Sequence, residues 1–206
     1  MYARSSIVRG DPQRIDQATA YLRDKVMPAV LGLDGYVGLS MLADRVSGRC
    51  IATTSWRDEP AMHDSESPLH ALRGRYGEIL GGRAEVQEWE IAVVHRTRPA
   101  PPGACARVVW SSGAPANRAS AIDTFRLAVL PRLADLPGFC SISMLIDAET
   151  ARGVSSTVYE SRDAMAAAAA TALPLREEFT RSVGGEVTEV AEFDVALAHL
   201  RVPETV

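Results

Sequence analysis

The sequence predicts an α+β fold made of two β-α-β-β-α-β modules in tandem, and an internal repeat is the main observation behind this prediction. Residues 1–95 and 104–200 align with each other at a nearly constant spacing of 103 residues. The clearest matches are Pro28 with Pro131, Gly35 with Gly138, and Ser40-Met41-Leu42 with Ser143-Met144-Leu145. Self-similarity on this scale indicates a duplicated structural module.

The first module opens with a strand pattern over Tyr2–Arg9, followed by Asp11-Pro12, a pair typical of a helix N-cap with proline at the first helical position. Apolar residues then recur at helical spacing as far as Leu33, which predicts a helix with one buried face. Pro28 falls inside this helix, as Pro131 does in the other copy. Because an interior proline bends or breaks a helix, we expect an irregularity at both positions.

Gly35 ends the helical segment, and the next residues alternate as in a strand, with Leu39, Met41 and Ala43 on one face. A turn at 44–48 joins this strand to Arg49–Arg57. A second helix is predicted from Glu59 to Leu80, ending at Gly81-Gly82, and a last strand runs over 85–95. The opposite face of the second strand is expected to be left open by the helices in each copy. It includes Tyr36, Ser40 and Leu42, and Phe139, Ser143 and Leu145.

Each module therefore has the order of the ferredoxin-like split motif, a four-stranded antiparallel sheet with both helices on one face. Two such modules can bury their open faces against each other, sheet to sheet, as an eight-stranded barrel within one chain. Residues 96–103 are rich in proline and read as a linker, and 201–206 as a tail. We expect a monomer that is a pseudo-dimer, with further association through outer surfaces left open.

Composition narrows the classes of function. The formal charge of −4 and the scattered arginines argue against nucleic acid as a partner. No apolar stretch is long enough to span a bilayer and no signal-peptide core is evident, which predicts a cytoplasmic protein without a membrane partner. Cys50, Cys105 and Cys140 form no CxxC or Cys/His cluster, so structural zinc and other metal sites are not expected.

The residues that enter the second strand and end the third resemble the antibiotic biosynthesis monooxygenase (ABM) family of the dimeric α/β-barrel superfamily. The similar segments are Leu33-Asp34-Gly35-Tyr36, Leu136-Pro137-Gly138-Phe139, Trp56-Arg57-Asp58-Glu59 and Tyr159-Glu160-Ser161-Arg162-Asp163. The resemblance implies that the chain is a fused version of a family homodimer. It also implies activities found among members, which include oxidation of polycyclic aromatic compounds by O₂ without metal or flavin, and haem degradation.

Haem degradation is not expected. The resemblance places an asparagine on the first strand, a tryptophan in the second helix and a histidine ligand later in that helix for this activity. Neither Tyr2–Arg9 nor Cys105–Ser112 contains asparagine, and Trp56, Trp89 and Trp110 lie outside the second helices. The ligand position would fall near Arg73 or Arg176, and a guanidinium cannot ligate iron.

The leading hypothesis is a cofactor-independent monooxygenase that takes a small aromatic or polyketide-like molecule and O₂. In it His63 is the general base and Arg73 stabilises the substrate anion. The expected substrate-binding residues are Trp56, Tyr159, His70 and Arg176. Structural alternatives stay open: surface ion pairs of Arg73 with Glu78 and of Arg176 with Glu177 or Glu178, and packing of the two aromatics against the second helix.

Polar candidates lie mostly in the first half, so at most one competent site is expected. The second helix of the other half contains Met165-Ala166-Ala167-Ala168-Ala169-Ala170. This run predicts a plain helix, although its small side chains also leave room for a cavity against the sheet. The alternative function, from another class, is a non-catalytic ligand-binding or interaction module of the same fold.

Overall fold

A computed structural model of the chain describes residues 1–114, 117–147, 149–200 and 203–204. The elements of the first repeat are β1 (Tyr2–Arg9), α1 (Ile15–Tyr21), α2 (Met27–Leu31), β2 (Tyr36–Ala43), β3 (Arg49–Trp56), α3 (Glu59–Asp64), α4 (Glu66–Leu80) and β4 (Glu85–Arg96). Those of the second are β5 (Cys105–Ser112), α5 (Arg118–Thr124), α6 (Leu130–Ala134), β6 (Phe139–Ile146), β7 (Gly153–Tyr159), α7 (Arg162–Ser182) and β8 (Glu186–Leu200). The predicted tail at 201–206 lies outside the described residues except for Pro203 and Glu204.

The predicted fold class is confirmed, since the chain is α+β and each repeat has the order β-α-β-β-α-β. All strand pairs for which a register is recorded are antiparallel. The hydrogen-bonded order is β1-β3-β2-β8-β5-β7-β6-β4, and it closes as a barrel.

The chain forms two compact units whose boundaries cut through β4 and β8. The first unit contains Met1–Trp89 and the segment that starts at Phe193, and the second contains Glu90–Glu192. Within the first unit β2 pairs with the last part of β8, in a register that sets Leu39 opposite His199. Each unit is thus completed by a strand segment from the other repeat.

The first helical segment of each repeat contains the irregularity predicted at its proline. Leu22–Val26 and Phe125–Val129 are π-helical turns that come just before Pro28 and Pro131. In the first of these the N–H of Met27 bonds to the carbonyl of Leu22, five residues back. Because proline has no N–H and its ring clashes with a carbonyl four residues back, widening the preceding turn lets the helix continue.

The second helix of the first repeat is not continuous, contrary to expectation. α3 ends at Asp64 and α4 begins at Glu66, with the hydroxyl of Ser65 donating to the carbonyl of Met62 at 2.6 Å. Pro68 supplies the physical reason, because its ring excludes the helical carbonyl of Asp64. Thr171 holds the matching position of the second repeat. α7 there is continuous even though Pro174 lies inside it, so the break in the first repeat depends on the surroundings of Pro68 as well as on its ring.

Each unit has an apolar core between its helices and its strands. Leu39, Met41 and Ala43 are buried in the first core, as the alternation predicted. Tyr36 and Phe139, however, were expected on the open face, and this is wrong: Phe139 is buried in the second core and Tyr36 packs on the first. A register shift after each of them, before Gly38 and Ser141, moves the aromatic side chain to the helical side.

No helix within the described part of the chain is long and apolar enough to cross a membrane.

Candidate functional site

The second unit contains a cavity of about 390 Å³ between its helices and its strands. This volume lies within the range of small-molecule sites in proteins. Its walls are mainly apolar, and the larger contributors are Phe125, Val129, Ile142, Met144, Leu175 and Phe179. Polar groups reach it from the strands through Arg107, Thr157 and Tyr159, and from α5 and α7 through Arg118 and Arg176.

The first unit has a cavity at the equivalent place, but of only about 40 Å³. Every residue that lines this small cavity, shifted by the 103-residue spacing of the repeat, gives a residue that lines the large one. Arg4 corresponds to Arg107, and Arg73 to Arg176. The two cavities are therefore two copies of one site, closed in the first unit and open in the second.

Two positions on the second helix contribute to the difference in size. Leu69 is buried in the first core, whereas its counterpart Ala172 lines the large cavity. Glu66 begins α4 and turns its carboxylate to Arg73, whereas its counterpart Ala169 also lines the large cavity. The alanine run of α7 thus opens space that longer side chains occupy in the first unit.

In the first unit a carboxylate neutralises the arginine beside the small cavity. Arg73 donates from Nη1 and Nη2 to the two carboxylate oxygens of Glu66 at 2.8 and 2.9 Å. Arg4, only 4% exposed, places Nη1 at 3.1 Å from Glu66 and Nη2 at 2.7 Å from Glu88. The bonds from Arg73, aided by both positive charges, lower the pKa of Glu66 to about 2. The two carboxylates neutralise the two arginines, so neither Arg4 nor Arg73 keeps an unpaired positive charge that could bind a ligand.

Of the three arginines that line the large cavity, one has no counter-charge among the described residues. Arg107 donates to Glu192 at 2.7 Å, and Arg118 bonds to Glu90. Arg176 has no hydrogen bond or ion pair to any residue that the structure describes, and its Nε is buried. A guanidinium in a mainly apolar cavity is costly without a partner, so this site favours an anionic oxygen.

The structure separates the residues predicted for the site. His63 is 54% exposed, with its Nε2 at 3.3 Å from Glu88, and His70 is 81% exposed, with its Nδ1 at 3.5 Å from Glu66. Neither is among the residues that line the two described cavities, and the break at Ser65 ends the helical face that they were expected to share. Arg73 lines only the small cavity.

Of the two predicted aromatics, one belongs to the core and one to the cavity. Trp56 is fully buried in the first core and donates from Nε1 to the Thr54 hydroxyl at 3.1 Å. Tyr159 and Arg176 both line the large cavity. Burial raises the pKa of Tyr159, so its phenol is a neutral donor at neutral pH.

The ion pairs considered as structural alternatives for the two arginines do not form among the described residues. Arg73 pairs with Glu66 instead, and Arg176 has no ion pair there. Glu78 binds Arg75 at 2.9 Å and Glu178 binds Arg132 at 3.4 Å. Sequence reasoning missed Arg4, Arg107 and Glu66. A signal for them was present, because the repeat retains arginine at the matched positions 4 and 107 and replaces Glu66 by Ala169.

Among the described residues, no group of three or more His, Cys, Asp or Glu side chains is placed to hold a metal ion.

Comparison with solved structures supports the fold. A "putative monooxygenase" of Lactobacillus acidophilus NCFM superposes with a TM-score of 0.72 at 12% identity, over 97% of this chain and 96% of that one. An anthrone oxidase-like protein gives 0.66 at 15% identity, over 97% and 93%. The haem-degrading enzyme LmHde of Listeria monocytogenes gives 0.52 at 8% identity, over 93% and 99%. The fold is that of the ABM-like dimeric α/β-barrel proteins.

The chain belongs to the family of the Mycobacterium tuberculosis proteins Rv2557 and Rv2558, each described as an uncharacterized protein. It is 44% identical to both over 207 aligned positions, which cover 100% of this chain and 92% and 88% of theirs. No protein-family model matches the chain.

Proposed function

We propose that the protein is monooxygenase-like and acts on a small molecule, and that its substrate site is the large cavity of the second unit. The observation that carries the proposal is Arg176, which has no counter-charge among the described residues and lines a mainly apolar cavity of about 390 Å³. A flat, largely apolar compound with one acidic oxygen satisfies both features of this site, its walls and its charge.

In the proposed reaction Arg176 holds the substrate as its enolate or phenolate, and Tyr159 donates a hydrogen bond within the same cavity. Stabilising the anion lowers the pKa of the substrate, so its proton passes to water when it binds. The electron-rich anion then reduces O₂ directly. One oxygen atom enters the product as a carbonyl in place of a CH₂ group, and the other leaves as water. His63 has no part in this scheme because it lines neither cavity.

Oxygen uptake with anthrone-like phenols tests the proposal. The wild-type chain is expected to consume O₂, and Ala172→Leu, which restores the side chain that fills the first unit, is expected to abolish uptake. Ala170→Leu adds the same group at an exposed position of the same helix and serves as the matched control. Uptake that persists in both Ala172→Leu and Arg176→Met would place the chemistry elsewhere.

The alternative function, ligand binding without turnover, also has an observation in its favour. No residue that lines the described cavity is a histidine, aspartate or glutamate, so no side chain there is an evident proton acceptor. A thermal-shift screen with the same phenols separates the two functions. Stabilisation without oxygen uptake supports the binding module, and stabilisation by none of them contradicts both.

Two expectations about the cell and the assembly are part of the proposal. The three cysteines are free and buried, which suits a reducing cytoplasm. A monomeric pseudo-dimer accords with a single chain that contains both repeats. Static light scattering of the full chain is the direct test of the monomer.

A further inference from the structure

The first unit shows how the site looks when an anion occupies it, because a side chain of the protein itself takes the place of the ligand there. Glu66 presents a carboxylate to Arg73 through two parallel N–H to oxygen bonds of 2.8 and 2.9 Å. Arg4 adds a contact of 3.1 Å from Nη1 to Oε2 of the same carboxylate. Two guanidinium groups, one on β1 and one on α4, thus hold one planar anion beside the small cavity.

The second unit retains both arginines and lacks the carboxylate. Arg107 and Arg176 stand at the positions of Arg4 and Arg73, and Ala169 stands at the position of Glu66. Arg4 uses Nε and Nη2 to hold Glu88, and Arg107 uses the same two atoms to hold Glu192. The Nη1 of Arg107, the atom that in Arg4 contacts Glu66, makes no recorded bond to the described residues.

We propose that the large cavity binds an aromatic carboxylate, whose carboxylate group takes the place that Glu66 takes in the first unit. This inference rests on the proposed function only in taking the cavity as the ligand site. It assigns Arg176 to a carboxylate in place of the enolate or phenolate oxygen, so the oxidation proposed above needs a ligand that carries both groups. The carboxylate lies between Arg176 and Arg107, and the ring system lies among Phe125, Val129 and Phe179. A phenolate has one oxygen and cannot form the two parallel bonds that the fork geometry of a guanidinium matches.

The volume and the charge of the site agree with this ligand class. Ala169, Arg107 and Arg176 line the same cavity. Because position 169 carries an alanine where the first unit has Glu66, space for an acid group is left on the wall that also carries the two arginines. Beyond it, Leu69 and Tyr76 of the first unit are replaced by Ala172 and Phe179. The space gained is apolar and suits a ring rather than a second polar group.

The test is titration calorimetry of the full chain with 2-naphthoate and with 2-naphthol at neutral pH. Their ring systems are the same, and only the first carries a carboxylate. We expect 2-naphthoate to bind at least about tenfold more tightly, the effect of a charge-assisted pair of hydrogen bonds. The preference is expected to disappear in Arg176→Met, which keeps an apolar stem of similar length.

A second pair of variants keeps the test independent of Arg176. Ala169→Glu supplies the internal carboxylate and is expected to remove 2-naphthoate binding. Ala169→Gln adds nearly the same volume without the charge, and it is expected to retain a measurable part of that binding. Circular dichroism confirms that both variants are folded. Equal loss in the two folded variants means that volume alone matters, which contradicts the carboxylate inference.

The two levels of proposal fail in different ways. If 2-naphthol binds as tightly as 2-naphthoate and Ala172→Leu weakens both, the cavity is the ligand site and the carboxylate inference is wrong. If neither compound binds and the anthrone-like phenols do not bind either, the proposed function of the cavity is itself contradicted.

Discussion

The Arg73–Glu66 pair makes a prediction about stability that can be worked out in numbers. Glu66 has its pKa lowered from 4.5 to about 2, first by the hydrogen bonds from Arg73. At about 1.4 kcal/mol per pKa unit this gives an upper limit of roughly 3 kcal/mol. The Glu66 side chain is 44% exposed, so screening by solvent reduces the expected contribution to about 1 to 2 kcal/mol.

The sign of the pH dependence follows from the lowered pKa. A carboxyl group that is more acidic in the folded chain contributes its full stabilisation above the unfolded value of 4.5, and loses it as the pH falls through about 2. Glu66→Gln removes the charge and keeps the shape. The variant is therefore expected to be less stable than wild type by about 1 to 2 kcal/mol at pH 6, with more than half of this difference lost by about pH 3.

Urea unfolding followed by tryptophan fluorescence measures this difference. Trp56 and Trp89 are buried and lie in the first unit, whereas Trp110 lies in the second. A Trp110→Phe background therefore makes the signal specific to the unit that contains Glu66. Glu78→Gln on the same helix is the matched control, since Glu78 and Arg75 are both mostly exposed and such pairs contribute about 0 to 1 kcal/mol.

The outcome that refutes the reasoning is a difference between wild type and Glu66→Gln that is the same at pH 6 and at pH 3. That result would mean that the ionised carboxylate of Glu66 contributes no net stability through its pair with Arg73, and that the loss in the variant has another origin.

Three further predictions concern the backbone, the cysteines and the assembly. Gly35 has φ +72°, and a Cβ there would lie 2.5 Å from the Cβ of Ala61, so Gly35→Ala is expected to destabilise the chain by about 2 to 4 kcal/mol. In Gly74→Ala, where no atom lies within 4 Å, thermal melting should instead show a gain of about 1 kcal/mol; equal effects would contradict the packing argument. Burial raises the pKa of Cys50 to about 11, so with a thiol reagent at neutral pH it should stay unmodified until the chain unfolds, whereas Val46→Cys, at a position 92% exposed, should react at once. A fragment of residues 1–98 lacks the β8 segment that pairs with β2, and light scattering should find it dimeric or aggregated; a stable monomer would show that the first unit does not need that segment.

The sequence by itself determined the repeat, the order of strands and helices, and the irregular turns at Pro28 and Pro131. These features depend on local rules, namely the spacing of apolar residues and the missing N–H of proline, and such rules act within a few residues of chain. The same rule applies to Pro68, but it applies also to Pro174, around which α7 is continuous. Whether an interior proline breaks a helix is therefore not set by the local sequence alone.

Only the tertiary structure decided which half contains the open cavity. The count of polar residues pointed to the first half, because His63, His70 and Arg73 are there. Whether an arginine can bind the anionic group of a ligand depends on whether a carboxylate of the protein already faces it across the space between helix and sheet. Glu66 binds Arg73 and fills that site, whereas Ala169 leaves Arg176 without a counter-charge from any residue in the described ranges. The physical reason is that a cavity is set by the side chains missing from a packed interior, and which side chains meet there is fixed by packing across the fold.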